Sequence, residues 1–376
     1  MSNDRKNISA IKRLVVKVGS GVLTQDMGLN LDIIASLARQ ISEQMDLKRE
    51  VILVSSGAVA SGVKKIGLTR KPEKMPEKQA AAAIGQAGLI LEYEKVFARH
   101  GKNVAQILLT DDDLSNRKRF LNARNTLNTL LTWGVLPIIN ENDTVAVEEI
   151  KFGDNDSLSA RVALLLSADL LINLTDIDGL YDKDPRKNTD ALRIKVVTRI
   201  GKQIEALACG IPGAMGTGGM LTKIKAARKM TAAGVPMIIA SGKDPVILED
   251  LFAGKDKGTF FAPKNQRLAS RKSWIAFNAK PAGVLVVDEG AKHALLKGGK
   301  SLLPSGVTTV RGDFKMGSPV ELRGPGDTVI GMGLVNYSSL EIDVIKGLKT
   351  DKIKENLGYK EYDEVIHRDN FAATGE

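Results

Sequence analysis

Twice near its start, this chain runs a β-branched segment into a glycine-bearing turn and then into a helical pattern: RLVVKVGSG ahead of LDIIASLARQISEQM, then VILVSSGAVASG. Near-continuous apolar runs of this length read as strands buried on both faces, which is how parallel strands read. The device recurs. An Ala-rich helix (Gln79 to about Arg99) is followed by the strand NVAQILL, the helix FLNARNTLNTLLTWG and the strand VLPIIN, and later by DLLINLTDIDGLYDKDPR, GTGGMLTKIKAARKMTAAG and VPMIIASG. Alternation on this scale predicts an α/β fold with an open, mostly parallel sheet sandwiched by helices. Ligands of such sheets bind beyond the carboxyl ends of the strands.

The pattern changes after Phe261. A polar stretch, APKNQRLASRKSW, precedes short strand-like pieces separated by Gly and Pro, such as AGVLVVDEG and SPVELRGPGDTVIGMGLV. That spacing predicts a small β-rich domain. We therefore expect an α/β domain over 1–265, a linker over 266–280, a β-rich domain over 281–365 and a tail over 366–376. The first residues lack an apolar signal segment and no apolar run approaches the roughly 20 residues of a membrane span, so the chain reads as cytoplasmic with no membrane partner. Its single cysteine, Cys209, excludes an intrachain disulfide and a cysteine metal site, and reads as a packing residue.

The formal net charge is +10, and the first 260 residues carry most of it, with 37 Lys+Arg against 30 Asp+Glu. An anionic small molecule bound in that part fits this distribution better than a basic nucleic-acid arm at the C-terminus. Against the basic background, NENDTVAVEEIKFGDNDSLSAR (140–161) holds six carboxylates: Glu141, Asp143, Glu148, Glu149, Asp154 and Asp156. Its two clusters bracket an alternating segment, Thr144 to Ile150, that reads as an edge strand or hairpin arm. The second cluster precedes the helix SLSARVALLLSA, for which Asp154, Asn155 or Asp156 could be the N-cap.

In GTGGMLTK the glycines would let backbone amides approach an anion at a helix N-terminus. Lys223, one turn inside, would lean back toward that anion. Lys17 closes the first strand beside Gly-Ser-Gly and is a second candidate cation. Neither GxxxxGK[ST] nor a GxGxxG with its acidic partner occurs, so a phosphate cradle would have to be assembled from separated pieces. The three histidines, His100, His293 and His367, lie in none of these loops, which argues against a histidine base. A carboxylate acceptor needs no base at neutral pH; its obstacle is repulsion from a phosphate, which fixed lysines and Mg2+ lower.

In this order, KVGSGVLT, VSSGAVASG, RFLNARNTL, PIINENDTVAVEEIKFGDNDSLSA, LTDIDGLYDKDPR and GTGGMLTK resemble the amino acid kinase family, in particular its glutamate 5-kinase branch. The segments AGVLVVDEGA and SLLPSGVTTVRGDF resemble the PUA domain that many bacterial members append. The resemblance implies transfer of the ATP γ-phosphoryl group to the side-chain carboxylate of L-glutamate, with Mg2+, as the first step of proline synthesis and with proline as feedback inhibitor. It also implies a homo-oligomer. Lys17 would contact the donor phosphates and the transferring group, with Lys223 opposite. Ser56 and Gly57 of the SSGA turn, with Asp143 and Asn155, would bind glutamate, flanked by Asp154 and Asp156. Thr175 and Asp176, with Thr217, Gly218, Gly219, Met220, Leu221, Thr222 and Lys223, would hold ATP. No dedicated protein cage for the metal is implied, since Mg2+ is commonly held by phosphates. Ser55 departs from the threonine many members carry there, which touches no role. Two alternatives are weighed beside this: a kinase of another acceptor, such as N-acetylglutamate, aspartate or a nucleoside monophosphate, and an RNA-binding or RNA-modifying protein, suggested by the PUA-like part, whose RNA binding is left open.

Overall fold

The computed structural model describes residues 8–25, 28–70, 72–145, 155–209, 219–263 and 269–374. By compactness it forms two units, Met1–Leu114 with Lys118–Arg267, and Ser115–Arg117 with Leu268–Glu376. β1 (Arg13–Val18) leads through the single-turn α1 (Ser20–Leu23) and a small hairpin, β2 (Thr24–Gln25) and β3 (Gly28–Leu29), to α2 (Leu31–Asp46). β4 (Glu50–Ser55) opens into α3 (Ala58–Lys65), followed by the long α4 (Met75–Ala98). Next come β5 (Val104–Leu109), α5 (Asp111–Ser115), α6 (Arg117–Thr132), β6 (Leu136–Glu141), α7 (Asn155–Leu165) and β7 (Leu170–Thr175). β8 (Val196–Val197), α8 (Lys202–Cys209), α9 (Met220–Ala232), β9 (Met237–Ser241), α10 (Ile247–Phe252) and β10 (Thr259–Phe261) follow. The side chain of Cys209 lies outside the described set.

Eight strands form one sheet in the order β5-β6-β4-β1-β7-β9-β10-β8. Neighbours run parallel except β9 and β10, in agreement with the expected class. Successive residues of a strand face opposite sides. Leu14, Val16 and Val18 of β1 therefore enter a core with Ile34, Leu37 and Ile41 of α2, Tyr93 and Phe97 of α4, and Leu248 and Leu251 of α10. Each such side chain, once buried, stabilises the fold by about 1.5–3 kcal/mol. Val15 and Lys17 face the other side, which α7 covers with α9 packed beside it. Lys17 is thus a charged residue on a buried strand, aimed at a helix.

Helices α3 and α4 touch through their backbones. A Cβ at Gly85 would lie 1.8 Å from the Ala58 carbonyl oxygen, and one at Gly62 would lie 1.8 Å from that of Ala81. Neither obstacle is a flexible side chain, so the helices would have to separate. Gly85→Ala is expected to cost about 1–3 kcal/mol as overpacking, read as a fall in Tm of about 2–4 °C per kcal/mol for a unit of this size. An unchanged Tm would show that the two helices accommodate a methyl group at their crossing.

In the second unit, α11 (Ser270–Phe277), β11 (Gly283–Val287), α12 (Glu289–Leu296), β12 (Val307–Arg311), β13 (Pro319–Arg323), β14 (Val329–Leu334), α13 (Ser339–Ile345), α14 (Ile353–Leu357) and β15 (Phe371–Ala373) include a five-stranded sheet in the order β12-β11-β13-β14-β15. Among its described strands only β11 and β13 pair in parallel. Leu285, Leu322, Tyr337, Ile342 and Ile366 belong to its core. The spans expected as linker and tail both hold regular structure. The span read as linker contains α11, which buries Trp274 and Ile275 and packs on β14 and β15; two large apolar side chains within a polar stretch suffice to fold it. The span read as tail supplies β15, paired antiparallel with β14 and anchored by buried Phe371.

Candidate active site

Among the described residues α7 runs from Asn155, with Asn155 and Asp156 in its first turn; Asp154, the third cap candidate, is not among them. Both side chains are buried and turned into the unit. Asp154, Thr217 and Gly218 lie outside the described residues, as does the hairpin arm expected beyond Val145; Asp143–Val145 form a turn.

Asp156, 1% exposed, gathers four donors. Its Oδ1 accepts from Lys17 Nζ at 2.5 Å and from Asn173 Nδ2 at 2.8 Å. Its Oδ2 accepts from Lys223 Nζ at 3.2 Å and lies 2.5 Å from the Thr222 hydroxyl, which is also 2.8 Å from the Gly219 carbonyl. Burial by itself would push the Asp156 carboxyl up, but the ammonium groups of Lys17 and Lys223 outweigh it and hold the carboxyl well below the usual carboxylate range. Lys17 arrives from β1 and Lys223 from the start of α9, whose N-cap is Gly219 and whose buried Met220 seats it; Leu221 lies in the same first turn. Two cations from separate elements thus converge on one anion at the carboxyl end of the sheet.

A neutral chain of amides adjoins this cluster. Asn155 Nδ2 donates to Ser56 Oγ at 2.8 Å and to Asn140 Oδ1 at 3.0 Å, and Asn140 Nδ2 donates to Gln86 Oε1 of α4 at 2.9 Å. Ser56 sits in the β4–α3 turn that Gly57 makes possible with φ +108°, a backbone conformation side chains rarely adopt. Asn155 Oδ1 is buried with no hydrogen-bond partner among the described residues. Asp143, in the turn after β6, is pushed up to about 7, first by burial and then by the charge of Glu141. At the end of β7, Thr175 Oγ1 donates to Asp176 Oδ1 at 3.0 Å, and the Asp176 carboxylate lies beside Gly21 of α1.

The structure therefore joins Lys17, Asp156, Thr222 and Lys223 in one group, and Ser56 and Asn155 in an adjacent one. It adds Asn140, Gln86 and Asn173. The sequence signal for two of these is a polar residue interrupting or ending an apolar strand, VLPIIN and LLINLT. Arg161, buried, pairs with Asp111 and donates to its carbonyl at 3.2 Å, fixing α7 to the start of α5. Among the described residues no three His, Cys, Asp or Glu side chains are grouped as a metal site, and no helix is long and apolar enough to cross a membrane.

The carboxyl end of this mostly parallel sheet thus presents two lysines around one aspartate, and comparison with known proteins shows which family the fold belongs to. The amino acid kinase family model matches residues 12–241 and the PUA domain model residues 283–357. The chain belongs to the amino acid kinase family, whose members are phosphotransferases. Glutamate 5-kinase of Geobacter sulfurreducens is 52% identical over 96% of this chain and 98% of its own, and glutamate 5-kinase of Caldanaerobacter subterraneus subsp. tengcongensis is 55% identical over 95% and 96%. Among solved structures, carbamate kinase from Giardia lamblia bound to AMP-PNP aligns with a TM-score of 0.50 at 18% identity, over 68% of this chain and 100% of that one, a likeness of fold alone.

Proposed function

We propose that the chain transfers the γ-phosphoryl group of ATP to the side-chain carboxylate of L-glutamate, giving L-glutamyl 5-phosphate. The observation that carries this is the convergence of Lys17 and Lys223 on Asp156. An acyl-phosphate transition state spreads negative charge over the equatorial phosphoryl oxygens between two anionic reactants, and two preorganised ammonium groups in a buried setting offset it. Asp156, expected beside the glutamate, has both oxygens engaged and is better suited to organising the two lysines than to holding an amine. The amine falls to Asp143 and to Asn155, whose unpartnered Oδ1 lacks a donor such as an ammonium N–H.

Thr175, Asp176 and the start of α9 are the proposed nucleotide-binding elements. Mg2+ enters with the nucleotide as MgATP, where it is held chiefly by phosphates. We place the kinase domain at 1–265 and the PUA-like domain at 281–365, with α11 packed on its sheet and β15 paired into it from the flanking spans, and read the product as the first intermediate of proline synthesis with proline as inhibitor, on the strength of the relatives' name. Hydroxylamine trapping tests the reaction: ATP, Mg2+ and L-glutamate should yield γ-glutamyl hydroxamate. A yield no higher than the control without glutamate would remove the assignment, and a preference for N-acetylglutamate would reassign the acceptor.

The amine role of Asp143 carries a pH signature. With its carboxyl at about 7, roughly a tenth is ionised at pH 6 and nine-tenths at pH 8, so KM for glutamate should fall about tenfold across that range. A flat profile, or one that Asp143→Asn leaves unchanged, would take Asp143 out of the acceptor site.

A further inference from the structure

β7 is buried along its whole length, and within LLINLT the side chain of Asn173 is 0% exposed. Across the parallel ladder its register partner is Lys17 of β1. Both therefore project from the same face, and both donate to the same oxygen, Asp156 Oδ1, at 2.8 and 2.5 Å. The amide must turn its NH2 group to that carboxylate, because a carbonyl there would be repelled. Its own Oδ1 is then buried with no hydrogen-bond partner among the described residues. A buried acceptor without a partner costs stability. As a building element of this strand, an apolar side chain of similar size would serve better, so the asparagine needs another reason.

We propose that Asn173 is a positioning residue for the phosphotransfer read above, on which this inference rests. The four donors of Asp156 divide into two cations, Lys17 and Lys223, and two neutral groups, the Asn173 amide and the Thr222 hydroxyl, one of each kind on each oxygen. When Lys17 turns from Oδ1 to the transferring phosphoryl group, the Asn173 N–H stays on that oxygen and keeps the carboxylate from rotating after the lysine. Thr222 does the same at Oδ2 for Lys223. Without the amide, Oδ1 has Lys17 as its remaining hydrogen-bond donor of the four and retains it.

Asn173→Leu in the full chain, assayed by hydroxamate formation beside the wild type, tests this. The expected result is a kcat about tenfold lower, the equivalent of one charge-assisted hydrogen bond, with KM for ATP and for glutamate within about twofold and a Tm equal to or above the wild type. Asn173→Ala should show the same kinetic split if leucine crowds the strand. An inactive wild type overturns the phosphotransfer reading and this inference with it. An active wild type with unchanged kcat in both variants, or with kcat lost only in step with Tm, overturns the inference alone.

Discussion

Lys223→Ala is expected to lower kcat by about 10²–10³-fold, the range for removing one preorganised donor from developing negative charge, while the protein still folds. The asymmetry follows from the site. Asp156 keeps Lys17, Asn173 and Thr222 after the change, so no buried charge is left without a partner. Lys223 comes from the first turn of α9, where a truncated side chain leaves the backbone intact. Steady-state kinetics with MgATP and glutamate, read beside thermal unfolding, separates the two effects. A variant with wild-type kcat would remove Lys223 from the mechanism, and a kcat loss matched by gross unfolding would make its part structural.

Asp156→Asn should invert that balance and strike stability first. The isosteric amide keeps the shape but leaves two ammonium groups facing each other in a buried site without their anion, a loss of about 3–5 kcal/mol. The pH dependence follows from linkage. The folded-state carboxyl titrates below its ordinary value because Lys17 and Lys223 outweigh its burial. Its contribution is therefore complete above the unfolded value of about 4 and is lost as pH falls through the lower folded value. The gap in stability between wild type and variant should be constant from pH 5 to 8 and close under acid. Denaturant melts across that range measure it, and a variant as stable as the wild type at pH 7 would show that the lysines do not depend on this carboxylate.

The two effects mark how far the site could be read from the amino acids. Strands such as LVVKV, VILVS and LLINLT are legible because a strand covered on both faces has no room for a polar alternation, and glycine turns punctuate them. Lys17 and Lys223 are legible as charged residues where strand and helix ends meet glycines. The destination of Asp156 is not, since its partner Lys17 lies 139 residues away and no local spacing records that register. Six carboxylates in one short stretch invite a single explanation, yet the fold turns one of them, Asp156, to two lysines. Gly62 and Gly85 are opaque for a different reason: a glycine within a helical pattern looks the same whether it meets solvent or a carbonyl oxygen. Trp274 and Phe371 show that a polar average conceals a segment's fold when one or two large side chains supply the burial.

Asn155 and Asp156 are adjacent in the first turn of α7, and Arg161 pins that helix lower down to Asp111. Because one helical turn carries both residues, a displacement of Asn155 on binding one ligand would also displace Asp156, the seat of both lysines. Occupancy of one half of the site would then alter the free energy of filling the other, and thermodynamic reciprocity requires the factor to be equal in both directions. The dissociation constant of a non-hydrolysable nucleotide, measured with and without glutamate, should shift by the same ratio as that of glutamate measured with and without the nucleotide.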